Sequence, residues 1–253
     1  MSKRITFIGN GNMALSIAHG LKDHYRIEVV GRSPEKLKQF ELALGVTVET
    51  VLMDDCDLTG KTILFCVKPA NVAEVGAKLK GKARVVYSVL AGTTVASLKE
   101  HLNTDAVVRT MPNLAASVNR SMTTLTGDEA FKEEAQEILG AIGETLWLES
   151  EKELDIATGL AGSGPAYLAL IAEAFADGAV KQGLKREYAM RVMRGLFGGF
   201  GELIQDVHPA LLKDAVMSPG GTTAAGYGAL EEGNVRSACM NAVAKAYEKA
   251  KIL

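Results

Sequence analysis

The sequence predicts an α/β chain in which a doubly wound, mostly parallel sheet is followed by an all-helical segment. Three observations predict it. Short β-branched runs alternate with helical patterns over residues 1–150, a glycine-rich turn follows the first run directly, and beyond 150 only helical periodicity remains. In order, strands are expected at 5–8, 27–30, 61–67, 83–89, 106–110, 122–125 and 145–148. Residues 34–44 put Leu37, Phe40 and Leu44 on one helical face, with Ser33 as N-cap and Pro34 in the first turn. A further helix is expected over 70–80, and another is capped by Asp128, with Phe131, Ala135, Ile138 and Ile142 on one stripe. Helices then follow at 166–180, 187–207, 209–216 and from 234 onward, so the domain boundary is placed between 1–150 and 151–253.

Composition narrows the function. With Lys+Arg 28 against Asp+Glu 30, the chain lacks the basic excess that neutralises a phosphate backbone, so no nucleic-acid partner is expected. The uncharged stretch 156–172 contains Gly159, Gly162, Ser163, Gly164 and Pro165 and is shorter than a bilayer span; it reads as buried protein, and no membrane partner is expected. Lys3 and Arg4 precede only a short strand that runs into Gly9, which leaves no room for a signal-peptide core, so a cytoplasmic protein is expected. Cys56, Cys66 and Cys239 are odd in number and scattered, and His19, His24, His101 and His208 form no close pair. Neither a disulfide framework nor a metal site is expected.

Gly9-Asn10-Gly11-Asn12-Met13-Ala14 follows a strand and opens a helix, giving G-x-G-x-x-A in the context of a Rossmann-like dinucleotide fold. The second glycine lets backbone approach a pyrophosphate at the positive end of a helix, and the small third residue lets helix and strand pack closely. A free ribose 2′-hydroxyl usually meets an acid at the end of the second strand, but this chain reads Val30-Gly31-Arg32-Ser33-Pro34. Arg32 and Lys36 stand instead at the positive end of a helix, where two cations oppose the macrodipole unless a phosphate lies between them. That favours NADPH, with NADH possible; the alternative is a solvated charge pair at a loop tip. Cys66-Val67-Lys68-Pro69, Val89-Leu90-Ala91-Gly92 and Met111-Pro112-Asn113 end later strands at the same crevice, where Lys68 either reaches the cofactor or faces water.

In the helical half, Gly195, Gly198, Gly199 and Gly201 allow close helix approach, either between chains or within an ordinary bundle. Gly162-Ser163-Gly164-Pro165-Ala166-Tyr167 is one glycine-rich segment and Ser218-Pro219-Gly220-Gly221-Thr222-Thr223 the other. If Thr222 and Thr223 begin a helix, the N–H groups around Gly220 and Gly221, with the adjacent hydroxyls, form an anion pocket suited to a carboxylate; the alternative is a connecting loop.

With Val67-Lys68-Pro69 and Arg109-Thr110-Met111-Pro112-Asn113, these segments make the chain resemble the pyrroline-5-carboxylate reductase family over nearly its whole length. The resemblance implies NAD(P)H-dependent reduction of the cyclic imine 1-pyrroline-5-carboxylate to L-proline, the last step of proline biosynthesis. It also implies a homodimer of intertwined C-terminal helices, often assembled into a decamer. It places cofactor contacts on Gly9 to Ala14, Arg32, Ser33, Cys66 to Pro69, Val89 and Ala91. It places the substrate carboxylate on Gly220, Gly221 and Thr222 beside Ser218, Glu151 near the substrate, and Thr223 on the imine nitrogen as the catalytic contact. Gly31, Met53 and Met217 depart from the family pattern. Two other readings remain at this point. A β-hydroxyacid dehydrogenase-like enzyme shares Gly159, Gly162 and Gly164 but needs a proton-transfer Lys and an Asn where Leu168 and Ala172 stand; a non-catalytic NADP-binding regulator would not need the second anion pocket.

Overall fold

The computed structural model describes residues 3–251. The elements run β1 (Arg4–Ile8), α1 (Asn12–Leu21), β2 (Arg26–Gly31), α2 (Pro34–Leu44), β3 (Glu49–Leu52), β4 (Thr62–Phe65), α3 (Val72–Gly76), β5 (Val85–Ser88), α4 (Val95–His101), β6 (Val107–Met111), β7 (Ser121–Gly127), α5 (Lys132–Gly140) and β8 (Gly143–Trp147). Helices alone follow: α6 (Glu151–Ala157), a π turn over Thr158–Gly162, α7 (Gly164–Lys181), α8 (Arg186–Asp206), α9 (Pro209–Val216), α10 (Thr222–Glu232) and α11 (Val235–Ala250).

Among the described residues the strands form an eight-stranded sheet in the order β3-β2-β1-β4-β5-β6-β7-β8, parallel throughout except between β6 and β7. Alternation along the strands separates two apolar layers. Phe7, Val29, Leu64, Val85 and Val108 pack with Ile17 and Leu21 of α1, Leu37 and Phe40 of α2 and Ile138 of α5. Ile8, Val30, Ile63, Phe65, Val86 and Val107 pack on the other face with Val72, Val75 and Leu98. Because the order reverses between β1 and β4, the helices leave a crevice at the carboxyl ends of those two strands, the usual ligand position of such sheets. The first half is thus the Rossmann-like sheet that the glycine turn predicts.

Two expected elements differ. The helix expected over 70–80 is a 3-10 turn, Pro69–Asn71, followed by the short α3. It stops where Gly76 lies so close to the His101 carbonyl that a Cβ would come within 2.2 Å of the oxygen. Asp128 does not cap α5: its Oδ2 accepts from the Val107 N–H at 2.6 Å, and the chain makes a 3-10 turn, Glu129–Phe131, before the helix starts. The edge strand β3 and the helix α4 carried too little apolar pattern to be expected at all.

The chain divides into two compact units, Met1–Pro165 with Val243–Leu253, and Ala166–Ala242. Secondary structure therefore changes type at Glu151, whereas packing divides further along, within the helical run. The stretch 156–172 was expected to be buried, yet Gly159 is its one buried residue, and Leu160, Leu168 and Leu170 are exposed. The cause is visible in the second unit, whose buried apolar residues are only Ala176 and Ala189. Leu170 is 67% exposed, Val192 64% and Leu196 58%. A Cβ at Gly195, Gly198, Gly199 or Gly201 would meet nothing within 4 Å. These small residues therefore do not serve packing within the chain, and an apolar face of this extent marks a surface for association. The protein is expected to sediment as a multiple of its 26.8 kDa chain mass. Leu196→Asp, which places an unpaired carboxylate on that face, should raise the dissociation constant at least about a hundredfold. A wild-type species of single-chain mass would contradict this.

Candidate cofactor and substrate sites

At the end of β1 the chain turns through Gly9, whose φ is +106° and whose N–H donates to the Val30 carbonyl at 2.9 Å. A Cβ there would lie 2.7 Å from the Cys66 carbonyl oxygen, so both the backbone conformation and the approach to β4 exclude other residues. Gly11 differs. It is exposed, has an ordinary φ of −80° as N-cap of α1, and a Cβ on it would meet nothing within 4 Å. No acidic residue occupies the first turn of α1, and Ala14 is fully buried beneath it. The fold requires Gly9; only a molecule approaching the open end of α1 requires Gly11.

The neighbouring loops share this edge of the sheet. Gly31 packs beside Leu37, and a Cβ on it would lie 3.4 Å from Cγ of Asn10, which brings the β2 loop against the glycine turn. Ser33 caps α2, accepting from the Lys36 N–H at 3.4 Å. Arg32 is exposed, 3.8 Å from Glu74, a contact too long and too solvated to hold it. Lys36 is exposed in the first turn. Glu35, in the same turn, accepts from the Ser33 hydroxyl, and that hydrogen bond holds its carboxyl below the usual range. Of the remaining predicted contacts, Asn12 and Lys68 are exposed, while Asn10, Met13, Val67, Pro69, Val89 and Ala91 are half-buried. The Cys66 thiol is pushed up by burial and stays protonated at neutral pH, so it offers no thiolate.

Glu151 was expected beside the substrate. Its carboxylate accepts from Nη1 of Arg109 at 2.8 Å and from the Val95 N–H at 3.1 and 3.3 Å. Arg109 lies on β6 with its side chain fully buried, and its Nη2 donates to Asp155 at 2.7 Å. Nearby, Asn113 donates through Nδ2 to the Ala161 carbonyl in the π turn at 3.0 Å and accepts the Ala115 N–H at 3.0 Å. The sequence places Arg109 and Asn113 in a motif at the crevice but assigns them no contact, and singles out nothing at Asp155. The signal was present: an arginine amid the apolar residues of a strand needs buried partners, and Glu151 and Asp155 are spaced i, i+4, on one helical face.

In the second unit, Ser218-Pro219-Gly220-Gly221 forms a turn closed by the Gly221 N–H donating to the Ser218 carbonyl at 3.0 Å. Gly220 has φ +71°, the third-position geometry of a type II turn with proline second. Gly221 is the N-cap of α10, without a side chain to satisfy the first N–H groups and without an acid in the first turn. Thr222 and Thr223 do begin the helix, exposed, with Ser218 exposed beside them. This end of α10 can receive a small carboxylate.

The chain is 37% identical to the pyrroline-5-carboxylate reductase of Pisum sativum over 266 residues, covering 100% of this chain and 96% of that protein. The chain belongs to the pyrroline-5-carboxylate reductase family. The Thermus thermophilus member is 34% identical over 95% of this chain and 94% of its own length. Residues 151–253 match the family model for pyrroline-5-carboxylate reductase dimerisation, and residues 4–92 match that for NADP oxidoreductase, coenzyme F420-dependent. Among solved structures, the Streptococcus pyogenes 1-pyrroline-5-carboxylate reductase superposes with a TM-score of 0.88 at 30% identity, covering 99% of this chain and 98% of that one. The Plasmodium falciparum pyrroline carboxylate reductase, solved with NADP bound, gives 0.84 at 27% identity, covering 99% and 97%. This family member is thus an NADP-type oxidoreductase and a homo-oligomer, and the dimerisation module coincides with the exposed apolar helices.

The two glycines of the first turn should separate in experiment. Gly9→Ala should destabilise the fold by about 1–3 kcal/mol or more, read as a fall in the thermal midpoint. Gly11→Ala should cost less than about 1 kcal/mol of stability while weakening NADPH in a fluorescence titration by about tenfold or more.

Proposed function

We infer that this chain reduces 1-pyrroline-5-carboxylate to L-proline with NADPH. The observation that carries the reading is the second open helix end, at Gly221: a carboxylate-sized anion site in a chain whose first unit already offers a dinucleotide turn at Gly11. An oxidoreductase that only sensed its cofactor would need one of these, not both.

The residues fit the cofactor. The open end of α1 at Gly11 would receive the pyrophosphate, and the missing acid after β2, with Arg32 and Lys36 exposed and Ser33 half-buried there, suits a 2′-phosphate. Bound in this crevice, NADPH supplies the hydride. Val67 and Lys68 after β4, and Val89 and Ala91 after β5, would flank it. On the substrate, the imine carbon gains the hydride and the nitrogen ends protonated. An imine is basic enough to arrive carrying its proton, so the chain has to orient it and need not supply a strong acid. The N–H groups at Gly221 and Thr222 hold the carboxylate with Ser218 beside them, and the Thr223 hydroxyl accepts from the protonated nitrogen, fixing which ring face is presented. Leu168 and Ala172 supply no proton-transfer group, which counts against an alcohol dehydrogenation. We propose a homodimer as the minimal assembly and the cytoplasm as its location, where three free cysteines, Cys239 of them exposed, persist.

Purified protein mixed with NADPH and pyrroline-5-carboxylate should lose nicotinamide absorbance in proportion to substrate; cofactor binding without substrate-dependent oxidation would leave only a sensor. Thr223→Val should lower kcat about ten- to a hundredfold with NADPH affinity unchanged. Arg32→Ala should raise KM for NADPH by about tenfold or more and leave KM for NADH nearly unmoved; equal losses with both cofactors would reject the phosphate role.

A further inference from the structure

We propose that Glu151 is a positioning residue for the cofactor-binding loop between β5 and α4, held on the Val95 N–H by the buried Arg109. The inference rests on the cofactor reading above and reassigns Glu151 away from direct substrate contact.

The loop carries Val89 and Ala91. Its near end is fixed by backbone, the Val89 N–H donating to the Phe65 carbonyl at 3.1 Å. Within it, Gly92 turns at φ +69° and the Thr93 hydroxyl donates to the Ala91 carbonyl at 3.4 Å. Its far end, at the first residue of α4, is fixed by a side chain from a distant helix: both oxygens of Glu151 lie 3.1 and 3.3 Å from the Val95 nitrogen. That carboxylate is itself placed by Arg109. The guanidinium fork is fully buried and planar, with Nη2 on Asp155 and Nη1 on Glu151, so the two carboxylates and the arginine fix one another's orientation. Arg109 also pairs in register with Ser88, the last residue of β5, and the Thr110 hydroxyl donates to the Ser88 carbonyl at 3.2 Å. The loop therefore leaves one strand beside Arg109 and returns to a helix whose first N–H is held by the carboxylate that Arg109 orients. Both oxygens of Glu151 are thus in contact with the protein, Oε2 with Arg109 and Val95 and Oε1 with Val95.

The test separates the two ends of the fork. Val95→Pro deletes the N–H that Glu151 accepts while keeping an apolar side chain where Val95 packs on the second core layer; proline suits a first helical position, and Thr94 already has the extended conformation required before it, φ −73° and ψ 160°. Glu151→Gln keeps the shape but turns an N–H toward Arg109 or Val95. Asp155→Asn removes the charge opposite Nη2 of the same arginine but keeps an amide oxygen to accept from it, leaving the fork and the Val95 contact in place. NADPH dissociation constants are read from nicotinamide fluorescence on the intact protein, beside thermal midpoints and KM for the imine. Val95→Pro and Glu151→Gln should each weaken NADPH about three- to tenfold. Asp155→Asn should lower the midpoint yet leave NADPH affinity within about twofold. Unchanged NADPH affinity in the first two variants, an equal loss in all three, or an effect of Glu151→Gln confined to KM for the imine overturns the proposal. Wild-type protein that binds no NADPH overturns it together with the functional reading, a result distinct from the others.

Discussion

The approach of the Gly9 backbone to the Cys66 carbonyl is the constraint on which the architecture turns. A sheet whose order reverses between β1 and β4 sends its helices to opposite faces and leaves a crevice where they part. The chain leaving β1 has to pass within contact of the end of β4 to enter it, and a Cβ 2.7 Å from a carbonyl oxygen would close that route. The Cys66 N–H donating to the Ile8 carbonyl at 2.9 Å keeps the two strands paired to their very ends, so the gap cannot widen to admit a larger residue. Close pairing and the turn thus demand the same residue type. Gly11 stands two positions on, under no such demand, and a Cβ there would meet nothing within 4 Å.

Two buried charges tie the sheet to its surroundings, one from each sign. Glu28, 2% exposed on β2, accepts from the Thr6 hydroxyl at 2.8 Å and from Lys61 at 2.6 Å, linking the three strands nearest the reversal. Arg109 does the converse on β6, drawing in Glu151 and Asp155. Such groups are weak arguments for net stability, since burying an ion offsets much of what its partner returns; stripping a partner away, by contrast, costs about 3–5 kcal/mol. Their consequence is geometric. A planar fork with two carboxylates fixes the rotation of α6 about its axis, and Asn113 holding Ala161 fixes the π turn one step later, so the start of the helical run is pinned at both ends to β6 and the segment that follows it.

What was legible in the sequence follows the reach of the forces involved. The helix from Pro34 to Leu44 was readable to the residue because cap, first-turn proline, apolar stripe and the left-handed Gly45 all act within a few residues. The glycine turn and the strands of the inner sheet were readable for the same reason. The short α3 was not, because it ends on a carbonyl from a helix 25 residues away in sequence, His101 against Gly76. Asp128 misled because its carboxylate had a choice between a helix N-terminus and the Val107 N–H, and only the tertiary arrangement of β6 decides it. The intrachain contacts of Glu151 were out of reach of local pattern as well, because they depend on an arginine 42 residues earlier.

The burial expected for residues 156–172 failed for a reason that bears on function. An apolar stretch reports that something covers it, and says nothing about whether the cover belongs to the same chain. Here Leu168, Leu170, Val192 and Leu196 remain open, and the second unit has two buried alanines for a core. Apolar burial is the principal favourable term in folding, so a unit with this little of it cannot fix its own turns firmly in isolation. The Ser218–Gly221 turn is locally determined by proline and a positive-φ glycine, but it belongs to this unit with its two buried alanines. Association over these helices would supply the apolar burial that the unit lacks, and the glycines of α8, where a Cβ would meet nothing within 4 Å, leave room for a second backbone to approach.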